Sequence, residues 1–179
     1  MNSKCQKVKA NFVTTRKPKI YLDTSVINFL YVTDAPEYRR ATEVFFEKVV
    51  AQNKVETYIS NIVTEEINKT KNDGVRKMLL GTFEKYGSIK TLVAENERLE
   101  EIAFLGENYI KNGIIPPAKV ADSLHVAYSV VFQMDILVSW NFQHLANVNK
   151  ERRIVLLNET LGYYYPFRMA NPLEVYYDE

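Results

Sequence analysis

The sequence predicts an α/β protein whose mostly parallel sheet is covered by helices on both faces. Short runs rich in β-branched and aromatic residues alternate along the chain with longer segments of helical periodicity, which is the pattern of β-α-β units. The length of 179 residues, with 46% apolar and 25% charged side chains, fits one folded domain. We therefore predict a single domain over residues 18–179, preceded by a flexible basic segment over residues 1–17.

Five segments are predicted to form strands, because each is a short apolar run bounded by polar or turn-forming residues. They are Lys19–Asp23, Glu56–Ser60, Ile89–Val93, Ile136–Ser139 and Arg153–Leu157. The C-terminal tail, rich in aromatic residues and prolines, is predicted to wrap the body as extended chain.

Helices are predicted where apolar residues recur every three or four positions. They are Glu37–Ala51, a helix beginning at Asn61 or Thr64, Asp73–Tyr86, Glu95–Lys111 and Pro117–Phe132, with a further helix starting near Val26. Gly87 and Gly113 follow two of these helices at positions that favour a left-handed backbone. Pro116 and Pro117 suit the first turn of another.

The charge of the chain is unevenly distributed. Residues 1–22 carry six Lys or Arg side chains and no acid, which leaves 17 basic and 22 acidic side chains in the remainder. A basic arm of this kind helps to hold a polyanion, and it serves equally as a solvated tail. The net charge of +1 does not by itself indicate nucleic-acid binding.

Composition argues against membrane and secreted classes. No apolar run approaches the roughly 20 residues that span a bilayer, and the basic N-terminus lacks the apolar stretch of a secretory signal. The single cysteine, Cys5, cannot form an internal disulfide. We therefore expect a cytoplasmic protein that does not contact a membrane.

Acidic residues fall where a parallel sheet binds its ligands, beyond the carboxyl ends of the strands. Asp23 ends the first predicted strand, where it either caps the helix near Val26 or faces a ligand. Asp122 lies in the first turns of a helix that is apolar over most of its circumference, so it is predicted to be buried. A buried acid is costly unless it finds a partner, for which a bound cation and the helix dipole are the two options.

Glu65 and Glu66 follow the second strand in the first turns of a helix. Adjacent helical residues point about 100° apart, so only one of the two faces the sheet edge. The buried side is marked by Ile62, Val63 and Ile67. This placement favours Glu66, with Glu65 as the alternative.

Asn141 follows the fourth strand and is the fourth polar residue expected at this edge, with Asp23, Glu66 and Asp122. Its carbonyl oxygen can ligate a hard cation or position a water, and Asn141 also suits the cap of a turn over Phe142–Leu145. Several acids at one edge repel one another unless a cation neutralises them, and Mg²⁺ and Mn²⁺ prefer oxygen ligands. Such an ion can activate water and stabilise the charge on a phosphodiester under attack.

Four segments in register resemble the PIN-domain family, and within it the VapC-like toxins of prokaryotic toxin–antitoxin pairs. They are Ile20–Ile27 (IYLDTSVI), Tyr58–Ile67 (YISNIVTEEI), Ala121–Ala127 (ADSLHVA) and Ile136–Leu145 (ILVSWNFQHL). The closing segment Tyr165–Val175 (YPFRMANPLEV) is also similar to a terminal stretch common among such proteins.

The resemblance implies a three-layer α/β/α sandwich, a Mg²⁺- or Mn²⁺-dependent ribonuclease site, a homodimer and an antitoxin partner. Asp23 matches the family's first acid and Asp122 its third. Glu66 matches the second, because an apolar residue follows it directly. Asn141 stands where the family commonly has an aspartate, a departure that concerns the second metal position and the catalytic rate. Ser139 matches a Ser or Thr often found near the metal.

The two histidines do not indicate a zinc site. His125 and His144 are far apart, with no Cys or second His at ligand spacing. We expect His125 in the shell behind Asp122, and His144 either in a structural role or against a substrate phosphate. No glycine-rich phosphate-binding segment follows any strand, which argues against dinucleotide and P-loop sites.

The residues and the resemblance together predict a divalent-metal-dependent endoribonuclease that hydrolyses RNA phosphodiester bonds. Asp23, Glu66 and Asp122 are expected to hold Mg²⁺ or Mn²⁺, with Asn141 positioning a water or a metal ligand. Two alternatives stay open: a catalytically degraded PIN-like module that binds RNA or a protein partner, and a nuclease of related architecture directed at DNA.

Overall fold

A sheet of five parallel strands forms the centre of the molecule in the computed structural model, which describes residues 16–141 and 145–175. The strands are β1 (Lys19–Leu22), β2 (Glu56–Ser60), β3 (Lys90–Leu92), β4 (Ile136–Val138) and β5 (Arg168–Ala170). They lie in the order β3-β2-β1-β4-β5, with Tyr21 of β1 paired to Tyr58 of β2 and to Leu137 of β4. The predicted α/β class is confirmed.

The central strand β1 shows that both faces of the sheet are covered. Ile20, Tyr21 and Leu22 are all fully buried, although successive side chains of a strand point to opposite faces. A strand that is apolar and buried on both sides belongs to a sheet sandwiched between helical layers. The predicted α/β/α arrangement is therefore present.

Seven α-helices lie in the described part of the chain. They are α1 (Thr24–Asn28), α2 (Pro36–Phe45), α3 (Asn61–Asn68), α4 (Asp73–Lys85), α5 (Glu97–Lys111), α6 (Val120–Val131) and α7 (Val148–Thr160), and a π-helical turn (Phe46–Val50) continues α2. Four of them begin at a side chain that accepts a backbone N–H, as helix caps do; the capping residues are Asp23, Ser60, Asn72 and Asn147.

The fifth strand lies outside the segment predicted for it. Arg153–Leu157, predicted as a strand from its β-branched residues, belongs to helix α7. The buried residues of this helix, Ile154 and Asn158, are one turn apart, and the Asn158 amide accepts a 2.7 Å hydrogen bond from the buried Tyr109 hydroxyl. The strand forms instead from Arg168–Ala170, within the tail predicted as extended chain, because that segment pairs in parallel with β4.

Helix α6 also begins later than predicted. Val120 is its first residue, and the Pro116 carbonyl accepts a hydrogen bond from the Lys119 N–H in a turn that precedes the helix. Gly113, as predicted, follows the end of α5 with a φ of 63°, a backbone conformation that glycine adopts without strain.

Arg16, the first described residue, is hydrogen-bonded to residues beside the sheet. The Arg16 guanidinium donates to both carboxylate oxygens of Asp135, at 2.6 and 2.8 Å, and to the Tyr165 hydroxyl. Of the segment predicted to be flexible, residues 1–15 lie outside the described residues. None of the helices described is long and apolar enough to cross a membrane.

The strand order determines where the polar residues meet. β1 lies between β2 and β4, and all three strands are parallel. The residues that follow these three strands therefore lie side by side at the carboxyl edge of the sheet. Asp23 follows β1, helix α3 follows β2 directly, and Ser139 follows β4. This edge is the position at which α/β sheets bind ligands.

Candidate active site

A polar pocket of about 320 Å³ opens at the carboxyl edge of β1, β2 and β4. Its lining consists of Asp23, Thr24, Ser25, Asn28, Glu66, Thr70, Asp122, His125 and Asn141. The four residues predicted for the site, Asp23, Glu66, Asp122 and Asn141, are thus all brought together, although they come from four separate segments of the chain. All of these lining residues are polar or charged, so the pocket suits a charged, hydrated ligand better than an apolar one.

Asp23 caps α1, which is one of the two roles that the sequence allowed it, and it also lines the pocket. One oxygen, Oδ1, accepts from the Ser25 N–H at 3.0 Å and caps α1. The other, Oδ2, accepts from the Ser139 hydroxyl at 2.7 Å. Asp23 is 4% exposed, and burial raises its pKa above the usual value, although the nearby His125 and the hydroxyl donors act to lower it. A buried carboxylate of this kind gains when a cation approaches.

The Ser25 hydroxyl links the segment after β1 to the segment after β4 by hydrogen bonds. Its hydroxyl donates to Asp23 Oδ1 and accepts the Trp140 N–H at 2.8 Å. The Trp140 indole N–H in turn donates to the Thr42 hydroxyl of α2, also at 2.8 Å. The loop after β4 is therefore fixed relative to the loop after β1.

Glu66, and not Glu65, lines the pocket. Glu65 is exposed and accepts a 2.8 Å hydrogen bond from the Asn61 amide on the outer side of α3. Glu66 is half-buried, and its Oε2 accepts from the Thr24 hydroxyl and lies 2.9 Å from His125 Nε2. Burial acts to raise the pKa of Glu66, but the hydrogen bonds from His125 and Thr24 outweigh it, so the pKa is lowered.

Asp122 is half-buried, so the prediction that it is buried is wrong. It lies in the first turn of α6, whose buried face begins with Ser123 and His125, while Asp122 itself turns toward the pocket. The Asn141 amide nitrogen donates to Asp122 Oδ2 at 3.1 Å, and the Asn141 N–H donates to the Ser139 hydroxyl at 2.9 Å. Asn141 therefore contacts an acid through its amide, where an aspartate would repel it.

His125 was predicted behind Asp122, but it lines the pocket itself and contacts Glu66. Its other ring nitrogen, Nδ1, lies 2.8 Å from the hydroxyl of Tyr21, which lies 2.6 Å from the Ser60 hydroxyl. Tyr21 is fully buried in β1, and burial raises its pKa, so the hydroxyl keeps its proton. The sequence signal for His125 was its position one helical turn after Asp122; Tyr21 gave none. His144 lies outside the described residues.

Two lysines act electrostatically on the carboxylates of the pocket. Lys150, half-buried on α7, has a pKa lowered by burial and raised in part by the charge of Asp122. The charge of Lys69, at the end of α3, contributes to lowering the pKa of Glu66. Neither lysine could be identified from the sequence, because proximity to the pocket is a tertiary property.

The donor set suits a hard divalent cation. Asp23, Glu66 and Asp122 supply carboxylate oxygens to one pocket, and no sulfur ligand is present among its lining residues. Within the described ranges, however, no three His, Cys, Asp or Glu side chains are already grouped closely enough to hold a metal ion. The carboxylates are instead engaged by hydroxyl, amide and imidazole groups, which an incoming cation would have to rearrange or share.

The fold is similar to that of chains in two solved VapBC structures. DNA-bound VapBC from Salmonella typhimurium matches with a TM-score of 0.52 at 14% identity, over 87% of this chain and 98% of that chain. VapBC2 from Rickettsia felis, bound to a DNA fragment from their promoter, matches with a TM-score of 0.54 at 15% identity, over 86% and 98% of the two chains. No family model and no curated protein sequence matches this chain. At this identity the likeness shows the fold alone, which agrees with the three-layer α/β/α sandwich that the sequence resemblance implied.

Proposed function

We propose that the protein is a divalent-metal-dependent endoribonuclease. The observation that carries the proposal is the convergence of Asp23, Glu66 and Asp122 on one pocket at the carboxyl edge of a PIN-type sheet. Three acids in one pocket with no arginine among the lining residues need an external cation to offset their repulsion.

Asp23, Glu66 and Asp122 are the residues that would hold Mg²⁺ or Mn²⁺. When bound, such an ion supplies an activated water and stabilises the charge that develops on a phosphodiester. The protein contributes pre-organisation: Ser25 and Ser139 hold Asp23, and Thr24 and His125 hold Glu66. Each of these hydrogen bonds restricts a ligand side chain, so less side-chain entropy is lost when an ion binds, although the three carboxylates of the described pocket are not yet grouped around one ion position.

Asn141 and the lysines are assigned to substrate and ligand positioning. The Asn141 amide orients Asp122 through the bond to Oδ2, and its carbonyl oxygen is the group that would accept from a water in the pocket. Lys150 and Lys69 carry positive charge near Asp122 and Glu66 respectively, and lysines near such a site are suited to contact phosphate oxygens of the substrate.

The toxin role follows from the fold likeness and is part of the proposal. The two similar structures are VapBC complexes, so we propose that this chain acts as the toxin of a pair in the cytoplasm, with an antitoxin protein as its partner and a second copy of itself in a homodimer. RNA is the proposed substrate. The DNA in those two structures belongs to those complexes.

A binding module without catalysis is the second candidate, favoured by one observation. Asn141 occupies the position of an acid, and the three carboxylates of the described pocket are not grouped as a ready metal site. Such a module would bind RNA or a protein partner and would bind Mn²⁺ weakly.

The test compares cleavage of a mixed RNA pool by wild type, Glu66→Gln and Glu65→Gln in Mn²⁺, with EDTA and a single-stranded DNA pool as further arms. The two substitutions are adjacent and chemically identical, but only Glu66 lines the pocket. We expect Glu66→Gln to lower the cleavage rate at least about a hundredfold, the effect of removing one charge-stabilising group, while Glu65→Gln leaves it unchanged.

The opposite results separate the alternatives. Equal cleavage by wild type and Glu66→Gln would mean that the activity comes from a contaminant or another site. Metal-dependent cleavage of the DNA pool alone would favour the DNA-directed nuclease. RNA binding without cleavage by partner-free wild type would favour the binding module.

A further inference from the structure

The hydrogen bonds to Glu66 all fall on one of its two carboxylate oxygens. Thr24 Oγ1 donates to Oε2, and His125 Nε2 lies 2.9 Å from the same atom. Oε1 receives no hydrogen bond from any residue in the described ranges. One oxygen is thus held by the protein while the other keeps its lone pairs, which is an arrangement suited to a metal-ligating carboxylate.

The contact from His125 continues into the core as a chain of buried groups. His125 Nδ1 lies 2.8 Å from the Tyr21 hydroxyl, and that hydroxyl lies 2.6 Å from Ser60 Oγ. Ser60 caps α3, the helix that carries Glu66, by accepting the Ile62 N–H at 3.3 Å. His125 is 2% exposed and Tyr21 is fully buried, so water does not replace any of these bonds.

The directions of the hydrogen bonds follow from the groups at the two ends. The ionised Glu66 carboxylate only accepts, so His125 Nε2 carries the hydrogen. In a neutral imidazole Nδ1 then accepts, so the Tyr21 hydroxyl donates to it. The Tyr21 oxygen accepts in turn from Ser60, whose oxygen accepts the Ile62 N–H. Each donor in this series of hydrogen bonds, from the Ile62 N–H to His125 Nε2–H, therefore has one acceptor.

We propose that Tyr21 and His125 are positioning residues for the metal: the Tyr21 hydroxyl fixes His125 in the Nε2–H tautomer, and His125 holds Glu66 Oε2 so that Oε1 is left for the cation. This inference rests on the proposed function. It deepens that function by assigning a task to a buried tyrosine of the central strand that never touches substrate.

The experiment measures Mn²⁺ affinity by calorimetry on the full chain, comparing wild type, Tyr21→Phe, His125→Leu and His125→Gln. Tyr109→Phe is the matched control, because Tyr109 is also fully buried and loses a side-chain hydrogen bond, to Asn158, and neither of these two residues lines the pocket. We expect Tyr21→Phe to weaken Mn²⁺ binding about tenfold and His125→Leu more, within the roughly 10- to 100-fold range of outer-shell substitutions.

Two further readouts separate positioning from core packing. His125→Gln keeps an amide N–H that can reach Glu66, so it should bind Mn²⁺ more tightly than His125→Leu. Nitrogen-15 NMR of the metal-free protein at roughly pH 8, above the usual histidine pKa, should show the Nε2–H tautomer for His125 in wild type and a mixture of tautomers in Tyr21→Phe. The signals are assigned by their loss in His125→Gln, since the chain has two histidines.

The outcomes distinguish this proposal from the proposed function. If wild type binds Mn²⁺ and Tyr21→Phe binds it equally well, or if wild type shows His125 as the Nδ1–H tautomer, the positioning role is overturned and the metal site stands. If Tyr21→Phe and Tyr109→Phe weaken binding alike, the effect is one of general destabilisation and the proposal is overturned. If wild type binds no Mn²⁺, both fail together.

Discussion

Two carboxylates at opposite ends of the same sheet are held in opposite ways. At the amino end, Asp135 precedes β4 and receives two N–H···O bonds from Arg16, one from the Tyr165 hydroxyl and one from the Lys19 N–H. At the carboxyl end, Asp23 receives only hydroxyl and backbone N–H groups from the described residues. Among the described residues, Asp135 is therefore bonded to an arginine side chain, whereas Asp23 is bonded to no lysine or arginine.

The pKa values of the two acids record this difference. Burial acts to raise both, but for Asp135 the hydrogen bonds from Arg16 and Tyr165 prevail and the pKa falls to about 2. For Asp23 burial prevails and the pKa is raised. An acid whose partner is within the chain stabilises the fold by itself, whereas one that is buried without a cation is stabilised by a cation from outside. The acid at the amino end of the sheet is therefore paired within the chain, whereas the acid at the carboxyl end lies where the metal site is proposed.

The largest expected effect tests that separation through catalysis. Asp122→Asn should lower Mn²⁺-dependent RNA cleavage at least about a hundredfold, because it removes a charge that would hold the ion. Asp135→Asn makes the same chemical change at the other end of the sheet and should leave the cleavage rate within about twofold. A comparable loss in both variants, measured in one assay at equal folded concentration, would show that the rate follows stability and not the pocket.

Metal-dependent stability should give the next largest difference. A ligand that binds the folded state at about 100 times its dissociation constant adds about 2.7 kcal/mol to the free energy of unfolding, so Mn²⁺ should raise the melting temperature of wild type and EDTA should reverse the rise.

Asp23→Asn should abolish that rise without lowering the melting temperature of the metal-free protein. Asparagine is as good a helix cap as aspartate, and the substitution removes a carboxylate whose raised pKa makes its ionised form unfavourable in the fold. Thermal scans with and without Mn²⁺ measure both effects. A Mn²⁺ response retained in Asp23→Asn would remove this residue from the metal site.

The smallest effect concerns the amino end and its pH dependence. The folded pKa of Asp135, about 2, lies below the ordinary value of 3.8, so the stability it contributes is complete above pH 3.8 and is lost as the pH falls toward 2. Asp135→Asn should lower the melting temperature by about 3 °C near neutral pH, allowing for solvent screening of a partly exposed ion pair.

The difference between Asp135→Asn and wild type should close as the pH approaches 2, because the wild-type carboxyl group is then protonated. Melting curves across the acid range test this. A gap of constant size at every pH would mean that the variant acts through packing or through the neutral hydrogen bonds of Asp135, and not through its charge.

Sequence reasoning located the acids because their placement depends on local order. Asp23 follows one strand, Glu66 lies in the second turn of the helix that follows another, and parallel strands present their carboxyl ends together. The choice of Glu66 over Glu65 depended on the angle between adjacent helical residues, which is also local. The structure places each of these side chains in one pocket, while their role as ligands stays a prediction.

The errors have a common cause in tertiary contacts. Residues 153–157 have strand-like composition, but the buried side of their helix packs at Ile154 and Asn158. Residues 168–170 form a strand because β4 offers an unpaired edge, which the tail itself does not encode. His125 appears as an ordinary helix residue until Tyr21 and Glu66, distant in sequence, are brought to its two ring nitrogens.

The edge strand β5 links the order of synthesis to the completion of the pocket. The Ser139 N–H, next to the hydroxyl that holds Asp23, donates to the carbonyl of Ala170 at 2.9 Å. A nascent chain can therefore assemble β1, β2 and β4 but lacks this support until residue 170 has emerged from the ribosomal tunnel. For a protein proposed to cut RNA, this order places the last support of Asp23 after the synthesis of the three strands that carry the pocket.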